Sequence, residues 1–240
     1  VGRFVGKEAL AAVSGSVNQI VTLIVEVFVG LTSGASVIIA QFYGAKDHKN
    51  LNRTLHTAYA FAIVTGAIVG LIGFWITEKV LIAMKTPSEL MADSVIYLHI
   101  YFCGMIFNIV YNMGASILRA VGDSRRPLYV LIMTCGLNIF FDIMLVVFLK
   151  MGVMGVAIAT VSCQGISACM VTWILIKGNS LFRLKIREIR FYMASLQSVL
   201  RIGIPAALEA TMYTIANLII QIFVNGLGTD GVFWAEPVSN

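Results

Sequence analysis

The sequence predicts an all-α, polytopic membrane protein, and composition is the first reason. Of the 240 residues, 59% are hydrophobic and only 12% are charged, whereas an ordinary soluble domain is about 45–50% apolar and about 25% charged. The mean hydropathy is +0.89. A soluble domain of this size cannot hide so much apolar surface from water. Composition therefore excludes a disordered chain and a soluble domain; long apolar stretches and an alternating loop charge support the same fold class.

The apolar stretches are long enough to cross a bilayer, which takes about 20 residues of helix. They cover residues 16–42, 57–76, 95–118, 128–149, 151–176 and 202–227. Strands are excluded because the stretches are too long and lack strict alternation. Small residues at helical spacing predict close helix packing in the first stretch (Gly30, Gly34) and in the second (Gly66, Gly70, Gly73).

Basic residues are concentrated in alternate loops. Segments 44–56, 119–127 and 177–201 contain 12 of the 17 Lys and Arg residues. The positive-inside rule places these segments in the cytoplasm, so the first stretch runs inward from the outer face. We therefore expect a further helix upstream of residue 1. The net charge of +5 follows from membrane topology, and nucleic acid is not expected as a partner because no basic patch is interleaved with aromatic residues.

Residues 179–201 form a cytoplasmic linker of a different kind. Apolar and basic side chains are mixed along it, which predicts an amphipathic segment on the membrane surface, in contact with lipid headgroups; a partner-binding role is the alternative. The linker separates an amino-terminal bundle, residues 1–178, from the start of a second bundle, residues 202–240. A weak repeat between residues 5–10 (VGKEAL) and 227–232 (LGTDGV) supports this division.

Acidic residues within the apolar stretches are the candidate functional groups. Burying one ionised side chain in a bilayer costs about 2.5–3.5 kcal/mol, so Glu26, Asp142 and Glu209 each require a partner or a cavity. Asn138 and Asp142 share a helix face, and a carboxylate with a carboxamide is more than helix association requires. Other polar side chains recur at helical spacing, and the residues that we expect to face a substrate cavity are Glu26, Asn112, Gln164, Glu209 and Tyr213.

Asp142 has two chemical roles open to it. A carboxyl group in a low-dielectric setting can carry a proton, and carboxylate, amide and hydroxyl oxygens are ligands for a small hard cation such as sodium. The sequence does not choose between them. An enzyme is not predicted, because the chain lacks a catalytic triad or a phosphate-binding loop, and no cofactor is expected beyond the coupling ion. His48 and His56 flank a basic loop, where we expect solvated side chains.

Two segments resemble a known family. They are residues 34–45 (GASVIIAQFYGA), which close the first stretch, and residues 118–127 (LRAVGDSRRP), which join the third and fourth. Both are similar to the multidrug and toxic compound extrusion (MATE) family of cation-coupled antiporters. Shorter matches lie at residues 2–6 (GRFVG) and 203–205 (GIP). The resemblance extends to about Asp230, after which residues 231–240 depart from the family pattern.

The resemblance implies twelve helices in two six-helix bundles around a central cavity. The chain would then hold helices two to seven, which make up an amino-terminal six-helix bundle lacking its first helix plus the first helix of the second bundle. The family's cation site combines an acid on helix one, an Asn and an Asp one turn apart on helix five, and a Thr on helix six. Asn138, Asp142 and Thr160 match the last three, so the resemblance places a proton or sodium there.

The implied function is export of organic, cationic drugs and toxic compounds across the cytoplasmic membrane, driven by inward flow of protons or sodium. The partners would be the lipid bilayer, small organic cations and the coupling ion, with no protein partner required. A flippase for lipid-linked oligosaccharides is the alternative, but its pyrophosphate substrate favours cationic groups in the cavity, and the charges within these stretches are acidic. In a non-transporting membrane subunit, the third reading, the polar residues would only join helices.

Overall fold

Helices make up all the regular structure in the described part of the chain. The computed structural model describes residues 13–178 and 182–225. The helices are α1 (Asn18–Gly44, after a π-helical turn Val13–Val17), α2 (His48–Ala83), α3 (Ser88–Cys103), α4 (Met105–Ala120), α5 (Arg125–Asp142, continued by a π-helical turn Ile143–Phe148), α6 (Gly152–Ile176) and α7 (Met193–Asn225). A short 3-10 turn, Ile186–Glu188, lies in the linker.

The helices that can span a membrane agree with the apolar stretches predicted from the sequence. Within the described residues, α1, α2, α5 with its π-helical turn, α6 and α7 are each long and apolar enough to cross a bilayer, and the bent pair α3–α4 would make a sixth span. Each of the six predicted stretches therefore corresponds to one of these crossings. The all-α class is confirmed for the residues that the structure describes.

The third stretch is not the single continuous helix that we expected over residues 95–118. It is broken at Gly104, where the axes of α3 and α4 differ by 51°. Val161 of α6 packs into the break, and a Cβ on Gly104 would lie 2.5 Å from its Cγ1 atom. Glycine is a common site of such kinks, and here the neighbouring helix occupies the space that a side chain would need.

α2 and α7 begin well before the apolar stretches that predict them, at His48 and Met193. α7 begins at Met193, inside the segment that the sequence assigned to the linker. α2 begins at His48 because Asp47 caps it: its carboxylate accepts hydrogen bonds from the Asn50 backbone N–H at 3.1 Å and from the Asn50 amide group at 2.7 Å. These two bonds hold the pKa of Asp47 below its usual value. Hydropathy does not detect the first turns of α2, because most of their residues are polar.

Glycines allow the close helix contacts that the sequence predicted. α1 packs along α7, and a Cβ on Gly30 would lie 2.2 Å from the Cα atom of Ala207. One turn later, a Cβ on Gly34 would lie 2.5 Å from the backbone nitrogen of Gly203. The backbones of α1 and α7 are therefore in direct contact at these glycines. The glycines of α2 make a similar close approach to α3 and α4 (Gly66, Gly70, Gly73).

Candidate functional site

Asp142 is the last residue of α5, directly before the π-helical turn. Its Oδ1 atom is buried and has no hydrogen-bond partner among the described residues. An unsatisfied polar atom in a low-dielectric interior is costly, and more so when the group is charged. Such an oxygen is suited to receive a proton or a cation.

Tyr97 of α3 connects two of the predicted site residues. Its hydroxyl group interacts with the side chain of Thr160 and lies close enough to Asp142 for an electrostatic interaction. The Thr160 hydroxyl itself donates to the Val156 carbonyl at 2.9 Å, which leaves its oxygen able to accept. Tyr97, a residue that the sequence did not single out, thus has Thr160 as a side-chain partner and Asp142 within electrostatic reach.

Asn138 lies one turn before Asp142 on α5. Its side chain interacts with Cys163 of α6, and Cys163 is also within electrostatic reach of Asp142. Thr160 and Cys163 are three residues apart and so share one face of α6. Asn138 and Asp142 are therefore connected to α6 through Cys163, and Thr160 lies on the same face of α6 as Cys163.

A polar network extends from this place through the interior of the bundle. The Tyr101 ring stacks on Tyr97 with centroids 6.2 Å apart. Its hydroxyl oxygen accepts from the Gln164 amide at 3.4 Å and from the Asn108 amide at 3.5 Å. Asn112 in turn donates to the Asn108 side-chain oxygen at 3.0 Å. The cavity candidates Asn112 and Gln164 thus belong to the same polar tract as the cation-site candidates.

The remaining cavity candidates lie elsewhere. Glu26 of α1 accepts a hydrogen bond from the hydroxyl group of Thr214 on α7. Glu209 of α7 is exposed, and the side chain of Tyr213 lies outside the described residues. Among the described side chains, Asn112 and Gln164 thus belong to one polar tract, and Glu26 belongs to the α1–α7 contact.

Tyr97 carries only a weak sequence signal. Ser94, Tyr97 and Tyr101 recur at helical spacing on α3, and each is buried. Ser94 resembles Asp142 in having a buried oxygen without a hydrogen-bond partner in the described part of the chain. A search for polar atoms rather than for charge would have found this face, since hydropathy counts tyrosine as an aromatic, largely apolar side chain.

Comparison with known proteins identifies the family. A family model described as MatE matches residues 1–144. The chain belongs to the MatE family. Two Bacillus subtilis relatives are named probable multidrug resistance proteins: YoeA is 31% identical over 96% of this chain and 51% of its own length, and YpnP is 30% identical over 95% and 51%. The chain spans about half the length of the curated relatives it matches.

Solved structures of MatE-family transporters share the fold. An inward-facing multidrug resistance MATE transporter superposes with a TM-score of 0.86 at 24% identity, covering 95% of this chain and 52% of that one. An outward-facing one gives 0.84 at 24% identity, covering 96% and 52%. With its membrane-spanning helices, this MatE chain is a multi-pass membrane protein. The matched relatives are named as transporters or resistance proteins, which confirms the prediction that the chain is not an enzyme.

Proposed function

We propose that the protein containing this chain exports organic, cationic amphiphilic compounds in exchange for inward flow of protons or sodium, and that this chain supplies the cation site. The observation that carries the proposal is the buried Asp142 Oδ1 atom without a partner. The names of the multidrug resistance relatives support an export function. The acidic residues within the spans favour cationic substrates over anionic ones.

The coupling ion would bind at the end of α5. Asp142 supplies the charge, and the Asn138 amide oxygen and the Thr160 hydroxyl are the neighbouring neutral donors. All are hard oxygen ligands, which suit sodium, while a proton needs only the carboxylate. Tyr97 interacts with the Thr160 side chain and lies within electrostatic reach of Asp142, so in this proposal it orients the site from α3.

Transport follows only if the ion and the drug prefer different states of the protein. A ligand that binds both access states equally shifts neither. In this proposal the ion interacts with residues of α3, α5 and α6, so its binding favours one arrangement of the three helices. We infer that this arrangement has the lower affinity for drug, which couples ion entry to drug release.

The test is Asp142→Asn in the full-length protein, reconstituted in liposomes with a pH or a sodium gradient imposed separately. Efflux of ethidium, a fluorescent organic cation, should fall to the level of empty liposomes, because the amide can neither carry a proton nor balance a cation. Asp93→Asn is the matched control, since Asp93 lies near the start of α3 and outside the polar network; it should transport like the wild type.

Two results would contradict the proposal. Efflux by Asp142→Asn at the wild-type rate would show that the carboxylate is not the coupling group. A wild-type protein that moves ethidium under neither gradient, yet is correctly folded, would favour the non-transporting membrane subunit. The gradient that drives wild-type efflux identifies the ion.

A further inference from the structure

A polar cavity lies at the basic end of the protein, away from the candidate cation site. It has a volume of about 240 Å³ and is formed by the first turns of α2 and by the linker. Its lining combines cationic, amide, imidazole, carboxylate and phenol groups (Lys49, Asn52, Arg53, His56, Glu188, Tyr192). The proposed export function uses none of these residues.

Hydrogen bonds hold the walls of this cavity in place. His56 is only 3% exposed, in contrast to the solvated side chain that we expected. Its Nδ1 atom lies 2.7 Å from the Asn52 carbonyl oxygen, and its Nε2 atom accepts from the Lys185 backbone N–H at 3.1 Å. Since a carbonyl only accepts, the ring is the neutral tautomer with its proton on Nδ1. The imidazole therefore fastens the linker to α2.

The second wall is fixed in a similar way. The Tyr192 backbone N–H donates to the Thr57 hydroxyl oxygen at 3.1 Å, and the Arg53 guanidinium lies 5.3 Å from the centre of the Tyr192 ring. The cation–π contact directs the arginine over the phenol. The cavity is thus preformed, with Arg53 at its edge.

The charge of the cavity favours an anion. Lys49 and Arg53 make no salt bridge within the described residues. The one acid in the lining, Glu188, is bound by the Lys185 ammonium group at 2.8 Å; that hydrogen bond lowers the pKa of Glu188, and Arg190 acts on it in the same direction. Arginine and lysine together are suited to phosphate, because the guanidinium binds two oxygens at once.

The linker around the cavity carries the features of a segment at the membrane surface. Ile186 of the linker is 66% exposed, Met193 at the start of α7 is 64% exposed, and two basic side chains lie between them (Arg187, Arg190). Large apolar side chains are unfavourable in water, and their mixture with basic residues is typical of a segment at headgroup depth. At this depth, the phosphate groups nearest to the cavity are those of lipid headgroups.

We propose that this cavity binds the phosphate headgroup of an anionic phospholipid from the leaflet at the basic end of the protein. Arg53 and Lys49 contact the phosphate oxygens, and the apolar linker side chains lie among the acyl chains beside it. The bound lipid would hold the linker against α2.

The experiment measures lipid binding to the purified full-length protein in detergent by native mass spectrometry. Short-chain phosphatidylglycerol, phosphatidylcholine and inorganic phosphate are titrated separately. Arg53→Gln should weaken phosphatidylglycerol binding about tenfold, which is the loss of one charge-assisted contact. Lys49→Gln should weaken it in the same direction, and this exposed residue can be changed even if Arg53→Gln fails to fold. Glu188→Gln should strengthen binding, because it removes the only negative group of the lining.

The control is Arg187→Gln, which removes one positive charge from the linker at a residue outside the cavity lining, and it should change the affinity less than about twofold. An equal loss for Arg187→Gln and Arg53→Gln would overturn the proposal in favour of general attraction to the surface. Equal binding of phosphatidylcholine and phosphatidylglycerol would overturn it as well. If inorganic phosphate bound as tightly as phosphatidylglycerol, the ligand would be a soluble anion, and the proposal of a membrane lipid would be wrong.

Discussion

The hydroxyl group of Thr214 on α7 donates a hydrogen bond to the carboxylate of Glu26 on α1. The bond joins the two helices at one end of their glycine-lined contact, so an acid within an apolar span is satisfied by the neighbouring helix. At Asp142, by contrast, the Oδ1 atom has no hydrogen-bond partner among the described residues.

Thr214→Val should destabilise the protein by about 1–3 kcal/mol, because the valine has a similar shape but leaves the Glu26 oxygen unpaired. Thr214→Ser keeps the donor and should stay within about 0.5 kcal/mol of the wild type. Reversible unfolding in mixed micelles measures both. Equal stabilities for the valine and serine variants would show that the hydrogen bond contributes nothing.

Gly30→Ala should weaken the α1–α7 contact. The new Cβ would lie 2.2 Å from the Ala207 Cα atom, and backbone cannot move aside as a side chain can, so we expect a loss of about 1–3 kcal/mol. Gly136→Ala on α5 is the matched control: a Cβ there meets nothing within 4 Å and should stabilise the helix by about 0.5–1 kcal/mol. Thermal unfolding followed by size-exclusion fluorescence should give shifts of opposite sign.

Tyr97→Phe should weaken the binding of the coupling ion without disturbing the fold. The change removes only the hydroxyl that interacts with Thr160 and lies near Asp142, so we expect the half-saturating concentration of the coupling ion to shift by about three- to tenfold. Tyr129→Phe, at an exposed position, is the control. An unchanged ion dependence in the Tyr97 variant would remove this residue from the site.

Gly122→Ala should strain the turn between α4 and α5. Gly122 has a φ of +89°, and a residue with a Cβ pays about 1–2 kcal/mol for a left-handed conformation. The turn precedes Asp123, whose carboxylate accepts from the Arg126 backbone N–H at 3.2 Å. Gly44→Ala, with open space around its Cβ, is the comparison, and a similar unfolding temperature for both variants would count against the strain.

His56→Phe should release the linker from α2, since the phenyl ring can neither donate to Asn52 nor accept from Lys185. Trypsin should then cut faster after the basic linker residues (Arg183, Lys185, Arg187, Arg190). His48→Phe, at an exposed position, should leave the cleavage rate unchanged. A linker that is equally resistant in both variants would contradict the anchoring role of His56.

Hydropathy was sufficient to place the crossings, because lipid exposure requires about 20 consecutive apolar residues whatever the tertiary contacts are. The break at Gly104 was not predictable, since it depends on Val161 of another helix. For the candidate site, an acid within an apolar stretch predicted Asp142, and helical spacing added Asn138. Tyr97 was missed because its polarity resides in one atom of a large aromatic side chain. His56 was misjudged because its partner, Lys185, is 129 residues away.

The bend at Gly104 also makes the third crossing two helical arms joined at one point. The Gly104 amide still donates to the carbonyls of Ile100 and Tyr101 at 3.2 and 3.0 Å, so both arms keep their helical bonds up to the joint and act as stiff rods. Val161 of α6 sets the angle between them. α4 has 16 residues and is about 24 Å long, so a pivot of only a few degrees at this elbow displaces its far tip by about an ångström, with neither rod unwinding.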